Sequence, residues 1–197
     1  LVLTEAHRED KVMKRPKRFF FLDIEASAID GYPIEVGWAI LPACFDGDPS
    51  DLIQSDAVLI RPPQAWIDNE AYPWDPQAEA LHGISLGDLM SKGLPISECC
   101  QTLEGALAEK AVWCNSKTAD RDWLEILFAE HTNSMRMPIR LRYWEDLFHQ
   151  YWEDHEPPMQ AVREALRSLP TYHRARLDAI RCALVFSAAW EAAGYNR

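Results

Sequence analysis

The segment FFFLDIEASAID, Phe19 to Asp30, runs bulky apolar residues straight into Asp23-Ile24-Glu25. Such a run reads as a strand driven into a core and ended by two carboxylates on alternate positions. Residues i and i+2 of an extended strand point to the same face, so Asp23 and Glu25 project side by side. Unpaired, two like charges that close raise each other's pKa and weaken the strand end. A divalent cation relieves the repulsion, and hard oxygen ligands suit Mg²⁺ or Mn²⁺. A strand end in water, with each acid capping a neighbouring backbone group, explains the pair equally well. This segment alone does not separate the two readings.

Working outward, PIEVGWAIL (Pro33 to Leu41) alternates well enough for a second strand. SDAVLIRP gives a third, stopped by Pro62-Pro63, with turn chemistry in CFDGDPSDL between them. Three strands with short connections predict an antiparallel meander. The pattern then changes. SECCQTLEGALAEK is helical, AVWCN is a short strand and ADRDWLEILFAEHT is helical again. IRLRYW is strand-like, with Ile139, Leu141 and Tyr143 on one face and Arg140 and Arg142 on the other. WEDLFHQYW and PMQAVREALRSL read as short helices, and a long Ala-rich helix from about Arg174 to Ala193 stops at Gly194. The expected class is α/β, a mixed five-stranded sheet of meander plus parallel strands with helices on both faces.

At 197 residues the chain is long enough for one full core, expected over 19–197 behind a polar extension at 1–18. The net charge of −11 argues against broad affinity for long nucleic acids, which need concentrated Lys and Arg. A nucleic-acid ligand would have to be short, or be held by a local basic patch and metal ions. Lys14, Arg15, Lys17 and Arg18 read as a solvated tail. Five cysteines without C-x-x-C spacing suggest reduced thiols and a cytoplasmic setting. No apolar run has the length of a membrane span, and the first residues lack a signal-peptide core.

Two further stretches carry chemistry-bearing residues. VWCNSKTADRDWLEIL leads a buried strand to Asn115 and then to Asp120 at the opening of a helix. Asp120 is most cheaply a helix N-cap, yet it follows a strand's C-terminal end, where α/β sheets tend to place their sites. Asp122 is its rival, one position round the helix. In YHRARLDAIRCALVF, His173 and Asp178 are five apart, about 140° round a helix, so one helix face does not present both. His173 therefore belongs to the loop after Pro170, and Asp178 to the helix, pointing at the sheet. An acid among Leu177, Ala179, Ile180 and Ala183 is costly unless paired or metal-bound.

Taken together, these residues resemble the DEDDh exonucleases of the ribonuclease-H-like superfamily, which include oligoribonuclease, ribonuclease T and the proofreading subunit of bacterial DNA polymerase III. Asp23 and Glu25 match the D-x-E motif; Asp120 with Trp123 and Leu124 matches the second motif; His173 and Asp178 match H-x4-D. LHGIS, Leu81 to Ser85, resembles a stretch that many members carry between the first two motifs. The chain departs from the family at Ser27-Ala28, usually Thr-Gly, and at Cys114-Asn115 and Ala119-Asp120.

The resemblance implies that Asp23, Glu25, Asp120 and Asp178 hold two Mg²⁺ or Mn²⁺, with His173 as general base. It implies a 3′–5′ exonuclease acting on single-stranded RNA or DNA with a free 3′ end, RNA or short oligonucleotides first, and releasing nucleoside 5′-monophosphates. A DNA proofreading or repair nuclease within an assembly, and a non-catalytic binding module, are the rivals. Candidate substrate contacts are Ala26, Ser27, His82 and Asn115, with Trp66 and Trp74 (beside Tyr72) as stacking surfaces in the loop PPQAWIDNEAYPWDP; core packing is the competing reading of the tryptophans, and a structural hydrogen bond that of His82. Arg136, Arg140, Arg142, Arg163 and Arg167 are candidate phosphate contacts that read as solvated surface; His131, His149 and His155 read as incidental. Phe186, Trp190 and Tyr195 look like more apolar surface than one core needs, which suggests a homodimer.

Overall fold

The computed structural model describes residues 17–116, 118–132, 137–152 and 155–195. Its strands are β1 (Arg18–Ala26), β2 (Pro33–Pro42), β3 (Gln54–Leu59), β4 (Ala111–Cys114) and β5 (Arg140–Tyr143). The helices are α1 (Pro49–Leu52), α2 (Gln64–Ile67), α3 (Pro76–His82), α4 (Leu86–Lys92), α5 (Ile96–Leu107), α6 (Ala119–Thr132), α7 (Trp144–Trp152), α8 (Glu156–Ser168) and α9 (Ala175–Ala192). The strands form one sheet in the order β3-β2-β1-β4-β5. β1 to β3 pair antiparallel, while β4 and β5 join parallel to β1. This is the expected mixed α/β sheet.

Alternation along the strands builds two cores. Leu22, Ile24, Val36, Val112 and Leu141 pack with Leu103 of α5 and Leu124, Leu127 and Phe128 of α6. On the other face Phe19, Phe21, Ala39, Leu41 and Trp113 pack with Leu147 and Trp152 of α7 and with Ala183, Phe186 and Trp190 of α9. Asp23 and Glu25 continue the row of Phe19 and Phe21, so they emerge on the α9 face.

The segment from Pro62 to Pro76 is more ordered than the expected loop. It contains α2, and Trp66 is 4% exposed, its ring 5.5 Å from that of Tyr32. Helices α3 and α4 were not expected either, although Asp75-Pro76 and the Ser85/Asp88 capping box mark their starts. Arg18 already belongs to β1, and Lys14, Arg15 and Arg136 lie outside the described residues.

The surplus apolar surface expected on the terminal helix is absent. Phe186 and Trp190 are fully buried, Trp190 Nε1 donates to Ala43 O at 2.9 Å, and the Tyr195 ring lies 4.7 Å from that of Trp190. The aromatics that suggested a homodimer thus fill the protein's own second core. All five cysteines are free thiols, and no helix among the described residues is long and apolar enough to cross a membrane.

Gly37 of β2 lets α9 approach. A Cβ there would lie 2.1 Å from Arg176 N and 2.2 Å from Ala175 C, both rigid backbone. Gly37→Ala should push the start of α9 off the sheet and destabilise the fold by about 2 kcal/mol. In a chain of this size that is roughly 4–8 °C in Tm, measurable by thermal melting. An unchanged Tm would show that the helix does not depend on this contact.

Candidate active site

β1 delivers Asp23 opposite Gly37 and Glu25 opposite Glu35, and its register with β2 shifts just after Glu25. α9 comes down on this end of the sheet and adds Asp178. One carboxylate oxygen from each of Asp23, Glu25 and Asp178 lies within 4.8 Å of the others. They open into a cleft of about 170 Å³ shared with Asn115, Thr171, His173 and Arg181.

His173 sits where the sequence places it, in the turn before α9, and Asp178 fixes that turn. Asp178 Oδ1 accepts from Tyr172 N at 3.0 Å and Oδ2 from Arg174 N at 3.3 Å, bracketing His173 on both sides. His173 itself has φ of 52°, a left-handed conformation costing about 1–2 kcal/mol, which the two bonds help to hold. A second anchor is Glu35, 3% exposed on β2. It accepts from Arg174 Nε at 3.1 Å, Arg174 Nη2 at 2.7 Å and Ala175 N at 2.9 Å. Sequence reasoning missed both Glu35 and Arg174. The available signal was an acid inside the apolar run PIEVGW, which a buried strand tolerates only with a partner.

The electrostatics follow from crowding and burial. Burial pushes the Asp23 carboxyl well above its ordinary range, and Asp120, Glu25, Asp178 and Glu35 push it further. Burial raises Glu25 to about 7, helped by Asp178 and Glu35 and opposed by the Arg174 guanidinium. Burial also raises Asp120 to about 7, with the Ser116 N–H pulling the other way. All the donors are carboxylate oxygens at a partly desolvated point, a set that fits a hard divalent cation.

Asp120 is not in the group of three. It is 2% exposed, its Oδ2 accepts from Ser116 N at 3.1 Å, and it acts electrostatically on Asp23. It lies inside the first turn of α6 rather than at its N-cap. Its rival Asp122 is exposed and lines a separate groove. Asn115 lines the cleft, as expected from its place after β4.

Of the candidate substrate contacts, Asn115 lines the cleft and the others lie elsewhere. The Ser27 hydroxyl is fully buried, donating to Pro73 O at 2.9 Å and accepting from Tyr32 N at 3.0 Å. It ties two loops together. The Ala26 side chain is likewise buried beside the register shift. Trp66 belongs to the core, and half-buried Trp74 donates through Nε1 to Glu79 at 2.6 Å. Neither lines the cleft. His82 is 4% exposed, and its Nδ1 accepts from Ile84 N at 3.0 Å. That places its proton on Nε2, which has no partner among the described residues, and burial lowers its pKa.

No protein family and no curated protein sequence matches the chain. Its fold does match solved exonucleases. Exonuclease X in complex with 5′-overhanging duplex DNA aligns over 88% of this chain and 89% of that one, at 19% identity and a TM-score of 0.50. S. pombe Pop2p in its Mg²⁺- and Mn²⁺-bound form aligns over 85% and 81%, at 11% identity and a TM-score of 0.56. E. coli exonuclease I in complex with a 5cy-dA13 oligonucleotide gives 13% identity and a TM-score of 0.56 over 88% of this chain and 40% of that one. The chain thus spans about two fifths of exonuclease I. It shares with these structures an α/β fold, a mixed five-stranded sheet with helices, as expected from the sequence.

In EDTA, folded Glu25 and Asp120 keep their protons up to a pH of about 7, whereas an unfolded chain releases them near pH 4. Across that window the folded state binds more protons, so stability should fall as pH rises from about 4 through 7. A cation that binds the ionised carboxylates reverses this. At pH 8, Mn²⁺ at a hundredfold excess over its Kd should raise Tm by roughly 5–10 °C, and at pH 5, where protons compete, by less. A Tm at pH 8 that ignores Mn²⁺ would contradict the metal centre.

Proposed function

We propose that this protein is a metal-dependent exonuclease that hydrolyses single-stranded nucleic acid from its 3′ end and releases nucleoside 5′-monophosphates. The observation that carries this reading is the meeting of Asp23, Glu25 and Asp178 within 4.8 Å in the cleft that His173 also lines. β1 and α9, the elements that bring these acids together, are the first strand and the last helix of the described residues.

The site has room for the parts of phosphodiester hydrolysis. Asp23, Glu25 and Asp178, with Asp120 behind Asp23, would hold divalent cations. Such ions, when bound, balance the carboxylates, acidify a water and stabilise the leaving oxygen. His173, half-buried at the cleft, takes the proton of the attacking water as general base and must be neutral to do so. The Asp178 bonds to Tyr172 N and Arg174 N hold in place the turn that carries it. The water oxygen forms the new bond to phosphorus as the bond to the 3′ oxygen breaks, and solvent reprotonates that oxygen. Asn115 and Arg181 are the uncharged donor and the cation on the cleft wall for the phosphate's other oxygens.

The acidic composition favours short strands, and RNA was the first expectation from sequence. The DNA in the exonuclease X and exonuclease I structures makes single-stranded DNA an equal candidate. Incubation of 5′-labelled and 3′-labelled DNA and RNA oligonucleotides with Mn²⁺ tests the reading. The 5′ label should give a ladder shortening by single nucleotides, and the 3′ label should appear at once as mononucleotide. His173→Ala should lower turnover by about 10²–10⁴-fold while the melting curve stays that of a folded protein. Full-rate cleavage by that variant would remove the general base, and no cleavage of any strand by the parent protein would remove the activity.

A further inference from the structure

Two grooves meet α6, one along its length and one at Arg121 over β4 and β5, and they differ in charge. One, of about 600 Å³, is lined by Trp66, Tyr72, Asp122, Glu125 and Glu130, and its carboxylates repel phosphate. The other, of about 310 Å³, is lined by Trp113, Cys114, Arg121, Arg142 and Tyr143. Trp113 and Arg142 also line a hollow of about 380 Å³ that takes in Arg18 and Lys110, so the two spaces adjoin. Cys114 is the chain neighbour of Asn115, which lines the carboxylate cleft. The basic groove therefore starts beside the candidate active site.

We propose that this groove carries the phosphodiester backbone of the strand upstream of the cleaved bond, with Arg142 and Arg121 as the nearest phosphate contacts and Lys110 and Arg18 further out. The proposal rests on the exonuclease reading and adds the path of its substrate. Arg142 is the best-prepared contact. Its guanidinium lies 5.5 Å from the centre of the Trp113 ring, which restrains it, and no carboxylate pairs with it among the described residues. Arg121, Lys110 and Arg18 are exposed and equally free of ion pairs there. Asp146 and Glu109 also line these spaces, leaving the four cations in excess.

The chain has 31 acids against 20 Lys and Arg, and four of its cations, unpaired among the described residues, line these adjoining spaces. They supply the local basic surface that the overall charge denies. Register sets the distance. Arg142 pairs with Trp113, Tyr143 with Cys114 and Cys114 with Leu22, so Arg142 lies two strands across from Asp23 and two residues back. That separation is about 12 Å at ordinary strand spacings, or roughly three to four nucleotides of a stacked strand.

The test is fluorescence anisotropy of a 5′-fluorescein-labelled ten-nucleotide strand, as DNA and as RNA, in Ca²⁺ over a series of salt concentrations. The double variant Arg121→Glu/Arg142→Glu should raise Kd about tenfold or more and flatten the log Kd against log salt slope by about 1.4, or 0.7 per lost phosphate contact. Glu130→Lys, a single charge reversal in the acidic groove, should stay within about twofold of the parent. If the double variant melts as an unfolded chain, Arg142→Gln and Arg121→Gln replace it, each expected to lose about 0.7 of slope. An unchanged Kd and slope in the arginine variants would overturn the path. So would a response to Glu130→Lys as large as theirs. Failure of the parent protein to shorten any strand overturns the exonuclease reading instead, and the DNA and RNA arms show which sugar the groove accepts.

Discussion

The site depends on one buried carboxylate, that of Glu35. Alone on an apolar strand it would cost several kcal/mol, and it is stable there because three donors from the start of α9 converge on it. Breaking one side of such a pair is far worse than never having had it, so β2 and the head of α9 are locked to each other. Gly37, one row along β2, lets the two backbones close up. Once α9 is held there, Asp178 must face Asp23 and Glu25, and the turn before the helix must hold His173 beside them. The geometry of the cleft thus comes from the docking of one helix onto one strand.

That docking gathers negative charge that the fold would otherwise keep apart. Asp23, Glu25 and Asp178 crowd one point, with Asp120 and Glu35 close behind, and only Arg174 lowers the Glu25 pKa among its named neighbours. The protein can hold its protons, at the expense of ionised carboxylates, or take up cations. Burial makes the choice sharp, because a desolvated carboxylate gains more from a cation than one in water does. The same acidity would turn a phosphate strand away. The proposed path past Arg142 and Arg121 would let such a strand approach away from the acidic groove on α6.

Much of this was legible in the chain. Alternation in FFFLDIEA placed Asp23 and Glu25 on one face, and helical periodicity separated His173 in a loop from Asp178 in a helix. The features that were not legible depend on partners far away in sequence. Ser27 kept the hydroxyl expected of a nucleotide contact, but Pro73 O and the Tyr32 N–H claim it. Trp66 read as a loop aromatic open to either stacking or core packing, and its packing against Tyr32 and Tyr72 decides for the core. Phe186 and Trp190 read as surplus because the aromatics that surround them, Phe19 of β1 and Tyr151 and Trp152 of α7, come from two other segments.

By itself the sequence determined which residues are presented and on which face of which element, because strand and helix periods are local properties of the backbone. It also determined the kinds of donor available, oxygen ligands and one imidazole. Only the tertiary structure decided which of them meet. Asp178 reaches Asp23 and Glu25 because Glu35 and Gly37 set how closely α9 lies on the sheet. Those contacts join positions 139 and 140 residues apart, and no local pattern encodes a distance across such a gap.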